Sequence, residues 1–153
     1  MKRWLIIVYF LVTSSAASDF IRAHEGLRLM VYPDTGGVLT CGYGHVGCEL
    51  RKGMTITRET AEDWLKSDLD KADSAVSRLV KVPLSEGQRT ALDSFVFNLG
   101  EHALSKSTLL RKLNNKDYAG AAKELPRWDR ANGKVVKGLH IRRLAEQKLF
   151  IGG

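Results

Sequence analysis

Between Thr57 and Val80 apolar residues recur every three or four positions: Ala61, Trp64, Leu65, Leu69, Ala72, Ala75, Val76 and Leu79. Side chains three and four apart share one face of an α-helix, so this spacing predicts a single long amphipathic helix. Thr57 is placed to cap its first turn, and Glu59 suits the positive end of the helix dipole. The helix separates two unlike regions. Before it, Asp19 to Glu25 reads as a short helix stopped by Gly26. Leu29-Met30-Val31-Tyr32, a Pro-Asp-Thr-Gly-Gly turn and Val38 to Tyr43 then read as two strands around a turn. After it, Pro83 breaks the chain and Ser85-x-x-Gln88 forms a capping box for a helix that Gly100 ends. Further helices are expected over Thr108 to Leu113, Tyr118 to Leu125 and Gly138 to Phe150. Strands near the N-terminus followed by helices make the α+β pattern.

A chain of 153 residues has room for one domain with a sizeable core. Its 44% apolar and 27% charged residues are those of a folded protein. The formal net charge of +7 favours anionic polymers or surfaces, and charge alone does not choose between nucleic acid and an anionic cell envelope. A nucleic-acid binder would interleave Lys and Arg with aromatic residues on one face, and the sequence has no such cluster. The N-terminus reads differently from the rest. Lys2 and Arg3 precede nine apolar residues, Trp4 to Val12, and then a small polar run from Thr13 to Ser18. That order is the pattern of a secretory signal. Nine apolar residues fall short of the roughly 20 needed to span a bilayer core as a helix. Residues 1–17 are therefore read as a signal peptide or signal-anchor segment, with cleavage expected after Ala16 or Ala17, and residues 18–153 as the working domain. An amphipathic or buried first helix is the alternative.

Residues 24–45, HEGLRLMVYPDTGGVLTCGYGH, hold Glu25 and Asp34 as their only acids, with Thr40 a short step further on. Strand alternation puts Leu39, Cys41 and Tyr43 on one face and Thr40 and Gly42 on the other. With the large residues turned inward, Thr40 faces out, toward whatever Asp34 faces. Gly42, Gly44 and Gly47 would let a ligand lie close to the backbone. Glu25, at a helix end, could overhang the same surface. An acid and a second carboxylate are what glycoside hydrolysis requires, with Thr40 available to hold a water. The plainer reading is that both carboxylates cap or solvate local structure.

The pattern Glu25-x8-Asp34-x5-Thr40, with Gly26 beside the Glu and Gly42-Tyr43-Gly44-His45 after the Thr, resembles the phage-type (T4-like) lysozyme family of glycoside hydrolases. The resemblance continues through Leu92 to Gly100, Ser107 to Asn114, Gly138-Leu139 and Arg142-Arg143, and spans about Asp19 to Phe150. Exported endolysins of phages and prophages, which carry N-terminal signal or signal-arrest segments, are the subgroup it is most similar to. The resemblance implies a lysozyme-like α+β fold. A small β-containing N-terminal lobe and a larger helical C-terminal lobe would be joined by the long helix, with the glycan between them. It implies a muramidase that cuts the β-1,4 bond between N-acetylmuramic acid and N-acetylglucosamine in peptidoglycan, with inversion, to lyse the host cell. Glu25 would be the general acid, Asp34 would orient or deprotonate the water, and Thr40 would position it. Substrate contacts are expected from Gly44, Val46, Phe97 and Arg142. No metal or organic cofactor is implied. The expected partner is the glycan strand, met in the periplasm by a monomer that touches the membrane only transiently through its N-terminal segment. A non-catalytic wall-binding module would keep the cleft and lose the acid.

Asp68 projects onto the middle of the long helix's apolar stripe, and a carboxylate there needs a partner because desolvating it alone is costly. His45 is one candidate; an Arg or a backbone donor is the other. Arg142 and Arg143 are expected as surface or wall-facing cations, and the family resemblance implies one of them near Glu25. Phe97, off the stripe of its own helix, would floor the sugar site or serve interlobe packing. Cys41 and Cys48 are the only cysteines, and their spacing permits either a disulfide or two free thiols. Two thiols without a His pair at ligand spacing fall short of a zinc site.

Overall fold

The long helix is present in the computed structural model, which describes residues 16–153. The expected apolar segment Trp4 to Val12 lies outside the described residues. The first described element is a helix over residues 16–25, α1. It leads into an antiparallel pair, β1 (Arg28–Pro33) and β2 (Leu39–Gly42). Then come α2 (Arg58–Leu79), α3 (Glu86–Leu99), α4 (Glu101–Ser105), α5 (Thr108–Asn114) and α6 (Tyr118–Glu124). A short 3-10 turn, a two-residue hairpin of β3 (Arg130–Ala131) and β4 (Lys134–Val135), and α7 (Lys137–Gly152) complete the chain. Among the described residues no helix is long and apolar enough to cross a membrane.

The expected caps are in place. Thr57 accepts a hydrogen bond from the Thr60 N–H, and Ser85 and Gln88 satisfy each other's backbone donors at the start of α3. Gly100 ends α3 at a φ of 90°, which a residue with a side chain rarely adopts. Two elements were not anticipated. α4 is five residues long, too short to carry a periodic signal. The β3–β4 hairpin turns on Asn132 and Gly133, both at positive φ, and that Asn-Gly pair is a recognisable hairpin signal in the sequence.

Of the expected α2 stripe, Ala61, Leu65, Leu69, Ala72, Ala75 and Val76 are buried. The helix serves two cores. Its N-terminal half packs Ala61, Leu65 and Leu69 against Ala17 and Ile21 of α1 and Tyr43 after β2. Its C-terminal half joins Ala91, Leu92 and Phe95 of α3, residues of α4 to α6 and Phe150 of α7 in the larger core. Phe95 is fully buried and meets Trp128 edge-on at 5.4 Å. Truncating such a residue to alanine costs about 3–5 kcal/mol, so this cluster sets much of the stability of the helical lobe. Phe97 packs against both cores, which makes it the interlobe contact that one of its two readings expected.

One expectation about β2 is overturned. Thr40 does not face outward opposite Cys41: Thr40, Cys41 and Tyr43 are all buried, at 5%, 0% and 6% exposure. The strand is covered on both faces, and Gly42, at a φ of 64°, breaks the alternation. Cys41 then packs with Val31 and Leu50, while Tyr43 turns to the α1–α2 core. A Cβ on Gly42 would sit 3.4 Å from Ala61 Cβ, so this glycine serves the close approach of β2 to α2 rather than a ligand.

Candidate active site

Glu25 is the last residue of α1. Gly26, at a φ of 68°, returns its N–H to the Arg22 carbonyl and turns the chain away. Three groups anchor α1: Arg22 Nη2 lies 2.5 Å from Glu62 Oε2 on α2, and Tyr43 donates to Glu62 Oε1 at 2.8 Å. The last turns of α1, the end of the hairpin and α2 are thus tied together through Glu62. Hydrogen bonds from Arg22 and Tyr43 hold the Glu62 carboxyl below its ordinary pKa.

The Glu25 carboxyl retains 20% of its side-chain exposure and its two oxygens differ. Oε1 accepts from Arg142 Nη1 at 2.5 Å. Oε2 points at the turn that follows β2, where a Cβ on Gly44 would stand only 2.9 Å away. Gly44, at a φ of 80°, is therefore required twice, once by the backbone and once by the acid. The turn is closed by reciprocal backbone bonds between Cys41 and His45, of 3.0 and 2.8 Å.

His45 locks that turn onto α2. Its Nδ1 lies 2.6 Å from Asp68 Oδ2, its ring stacks on Trp64 at 4.3 Å, and its Nε2 meets Glu49. Asp68 thus found the histidine rather than an arginine or a backbone donor, with Lys71 as a second, exposed partner. Burial works to lower the His45 pKa, but the hydrogen bonds that its ring donates to Asp68 and Glu49 outweigh it and the pKa is raised. A Cβ on Gly47 would collide with the Glu49 carboxylate, so this glycine also makes room for the protein's own group.

Asp34 lies in the exposed β1–β2 turn. Its Oδ1 accepts from the N–H groups of Gly36 and Val38 at 2.8 and 2.9 Å, and among the described residues nothing hydrogen-bonds Oδ2. The carboxylate caps its own turn and still keeps an oxygen available. Thr40 donates its hydroxyl proton to the Val38 carbonyl at 3.0 Å, which leaves its oxygen able to accept. Asp34, Val38 and Thr40 are thereby fixed relative to one another by the hairpin itself.

Between the lobes runs a cleft of about 370 Å³, lined by Gly44 and Val46 from the N-terminal lobe and by Phe97 and Asn98 from α3. Its volume falls in the range of small-molecule sites. Three of the residues expected to touch substrate therefore share one cleft. Arg142 does not line it. The expectation of surface cations fails for both arginines, since Arg142 is 4% exposed and Arg143 fully buried. Unpaired charges could not be buried in this way, and their partners are Glu25, Ser94 and Glu146. The sequence assigns no role to Ser94, Asn98 or Glu146, although a Glu four residues after Arg142 and three after Arg143 is a helix-pair spacing. Burial pushes the Glu146 carboxyl above its ordinary pKa against the pull of Arg143. Cys41 and Cys48 are free, the first buried and the second exposed.

Residues 22–146 match the phage lysozyme family. The chain is 42% identical over 142 residues to an endolysin of Salmonella phage P22, covering 90% of this chain and 97% of that one. It is 38% identical over 149 residues to a SAR-endolysin of bacteriophage PS119, covering 97% and 87% respectively. Among solved structures, the muramidase domain of SpmX from Asticaccaulis excentricus superposes with a TM-score of 0.81 at 36% identity, covering 89% of this chain and 95% of that one.

Proposed function

This chain belongs to the phage lysozyme family, and we propose from that premise that it hydrolyses the β-1,4 bond between N-acetylmuramic acid and N-acetylglucosamine with Glu25 as its acid. It is an endolysin, a glycoside hydrolase that degrades peptidoglycan. The observation that carries the assignment of the acid is the division of labour between the two oxygens of Glu25. Oε1 is committed to Arg142, so the transferable proton belongs on Oε2, beside Gly44, which itself lines the cleft. A glycosidic oxygen presented there receives it. Asp34, with Oδ1 held by two backbone donors, uses Oδ2 to orient or deprotonate a water, and the Thr40 oxygen accepts a hydrogen bond from that water. An inverting route of this kind needs the two carboxyl groups about 6.5–9.5 Å apart. Val46 and Phe97 contact the sugars from opposite lobes, Gly44 keeps the acid's side of the cleft open, and Arg142 acts through Glu25.

Export fits the same reading. The relation to a SAR-endolysin covers 97% of the chain, and Lys2, Arg3 and the apolar run to Val12 give residues 1–17 the make-up of a signal or signal-anchor segment in transient contact with the membrane. The remainder acts on the wall from the host periplasm as a monomer, its net charge of +7 suited to an anionic polymer. Ala17 belongs to the α1–α2 core, so cleavage after Ala16 keeps that contact and cleavage after Ala17 loses it.

Turbidity of permeabilised Gram-negative cells or of purified peptidoglycan tests the chemistry. The wild type should clear it at some pH between about 5 and 8, and Glu25→Gln should abolish clearing while still binding wall fragments. Asp34→Asn should be badly impaired. Full activity in Glu25→Gln would remove Glu25 from the mechanism. Blocking the translocase should leave the protein in the cytosol, and mass spectrometry of the periplasmic form distinguishes loss of residues 1–16 or 1–17 from retention.

A further inference from the structure

Behind Glu25 lies a buried cluster that the substrate does not reach. Arg143, Ser94 and Glu146 have no solvent exposure. Glu146 Oε1 accepts the Ser94 hydroxyl proton at 2.6 Å and an Arg143 Nη2 proton at 2.9 Å, and Arg142 Nε lies 3.5 Å from it. Its Oε2 is 2.8 Å from Arg143 Nε, an ion pair by distance without hydrogen-bond alignment. Arg143 also donates to Asn98 Oδ1 at 3.0 Å. The polarity of these bonds has a direction. With its proton given to Glu146, the Ser94 oxygen can only accept, and it accepts from Arg142 Nε at 3.2 Å. The Ser94 carbonyl takes Arg142 Nη2 at 3.3 Å, which leaves Nη1 for Glu25.

Charge runs the same way. The two guanidiniums keep their charge, and Glu146 in its ionised form, 2.9 Å from Arg143 Nη2 and 3.5 Å from Arg142 Nε, balances one of them. The groups facing Glu25 are Arg142 from α7, Arg143 behind it and its neighbour His24 on α1. Burial and then Arg142 hold the His24 pKa below its ordinary value, which favours the uncharged ring. On the side of the N-terminal lobe the group facing the acid is Gly44, which carries no charge.

We propose that Glu146 is the positioning residue of this site: through Ser94 it holds Arg142 in register with Glu25, and by balancing Arg143 it leaves Glu25 facing one unbalanced positive charge rather than two. This rests on Glu25 being the acid. Removing the Glu146 charge exposes Glu25 to a second buried cation, which favours loss of its proton; losing the Ser94 hydroxyl removes the Arg142 Nε contact and loosens Arg142 but leaves the charges unchanged.

The test compares Glu146→Gln, Glu146→Asp and Ser94→Ala with the wild type, by kcat, KM and the pH profile of kcat/KM on solubilised peptidoglycan strands, with folding checked by circular dichroism. Glu146→Gln should lower kcat with little change in KM and move the high-pH limb to lower pH by roughly one unit, the effect of a nearby charge. Ser94→Ala should lower kcat with the limb unmoved, and Glu146→Asp should return the limb to its wild-type position. A folded Glu146→Gln with the wild-type profile overturns the proposal. Should Glu146→Gln fail to fold, Ser94→Ala decides it: reduced kcat at unchanged KM supports it, and wild-type kcat overturns it. Glu25→Gln separates the two levels. If that variant is inactive while these profiles stay wild-type, only the positioning role falls; if it is active, the assignment of the acid falls first.

Discussion

Replacing Gly44 by Ala separates backbone strain from displacement of the acid. Gly44 sits at a φ of 80°, where a side chain costs about 1–2 kcal/mol. The new Cβ would lie 2.9 Å from Glu25 Oε2 and 3.3 Å from its carboxyl carbon, whereas ordinary contact begins near 3.4 Å. The carboxylate must therefore retreat by about 0.5 Å or more, because atoms closer than contact distance repel steeply. It cannot retreat toward Arg142, which already holds Oε1 at 2.5 Å. Rotation of the carboxyl group is what remains, and that moves the proton-bearing oxygen off line. Misplacement on the 1 Å scale costs on the order of 10²-fold in rate. Gly53 supplies the control, since it has a φ of 79° and nothing within 4 Å of a built Cβ. Urea denaturation should report similar losses of roughly 1 kcal/mol for Gly53→Ala and Gly44→Ala. Clearing of peptidoglycan should be normal in the first and reduced about 10²-fold in the second. Normal clearing by Gly44→Ala would refute the reasoning, and so would equal loss of clearing in both variants.

Three further outcomes follow from buried or paired groups. Burial, with Asp73 nearby, raises the Asp93 pKa from 3.8 to about 8, so the folded protein holds a proton there that the unfolded chain releases. The stability from that proton is complete below pH 4 and fades as pH rises through about 8; Asp93→Asn should gain on the wild type across that window by up to about 1.4 kcal/mol per unit, and parallel stability curves would contradict this. The raised His45 pKa works alike: its contribution is full below the unfolded value of about 6.5 and lost above the folded one, so Asp68→Asn should destabilise most near about pH 5–6 and least near about pH 9. A loss independent of pH would mean that the Asp68 contact is a neutral hydrogen bond. A thiol reagent should label Cys48 in the native protein and Cys41 only after unfolding, and protection of both until reduction would reveal a disulfide instead.

What the sequence determined by itself was local. The stripe of α2, the Thr57 cap, the Ser85–Gln88 box and the stop at Gly100 are decided within a turn or two of chain, where period and capping chemistry act without outside help. Glu25, Asp34 and Thr40 lie within one short run of helix end, turn and strand, and it is the resemblance of their spacing to a known family that singles them out. The β3–β4 hairpin was equally local in its Asn-Gly signal and was simply not read. The tertiary structure decided what depends on distant partners. Arg142 stands 117 residues from Glu25, and whether it is a solvated cation or a buried clamp turns on Ser94 and Glu146 meeting it there. A buried charge is tolerated only where such partners converge, and no spacing along the chain reports that convergence. Thr40 was misplaced for a related reason: strand alternation assumes one covered face, whereas this strand is covered on both and broken by Gly42. Gly44 joins the two levels, since its positive φ belongs to the turn, while the room it leaves is filled by an acid delivered from another element.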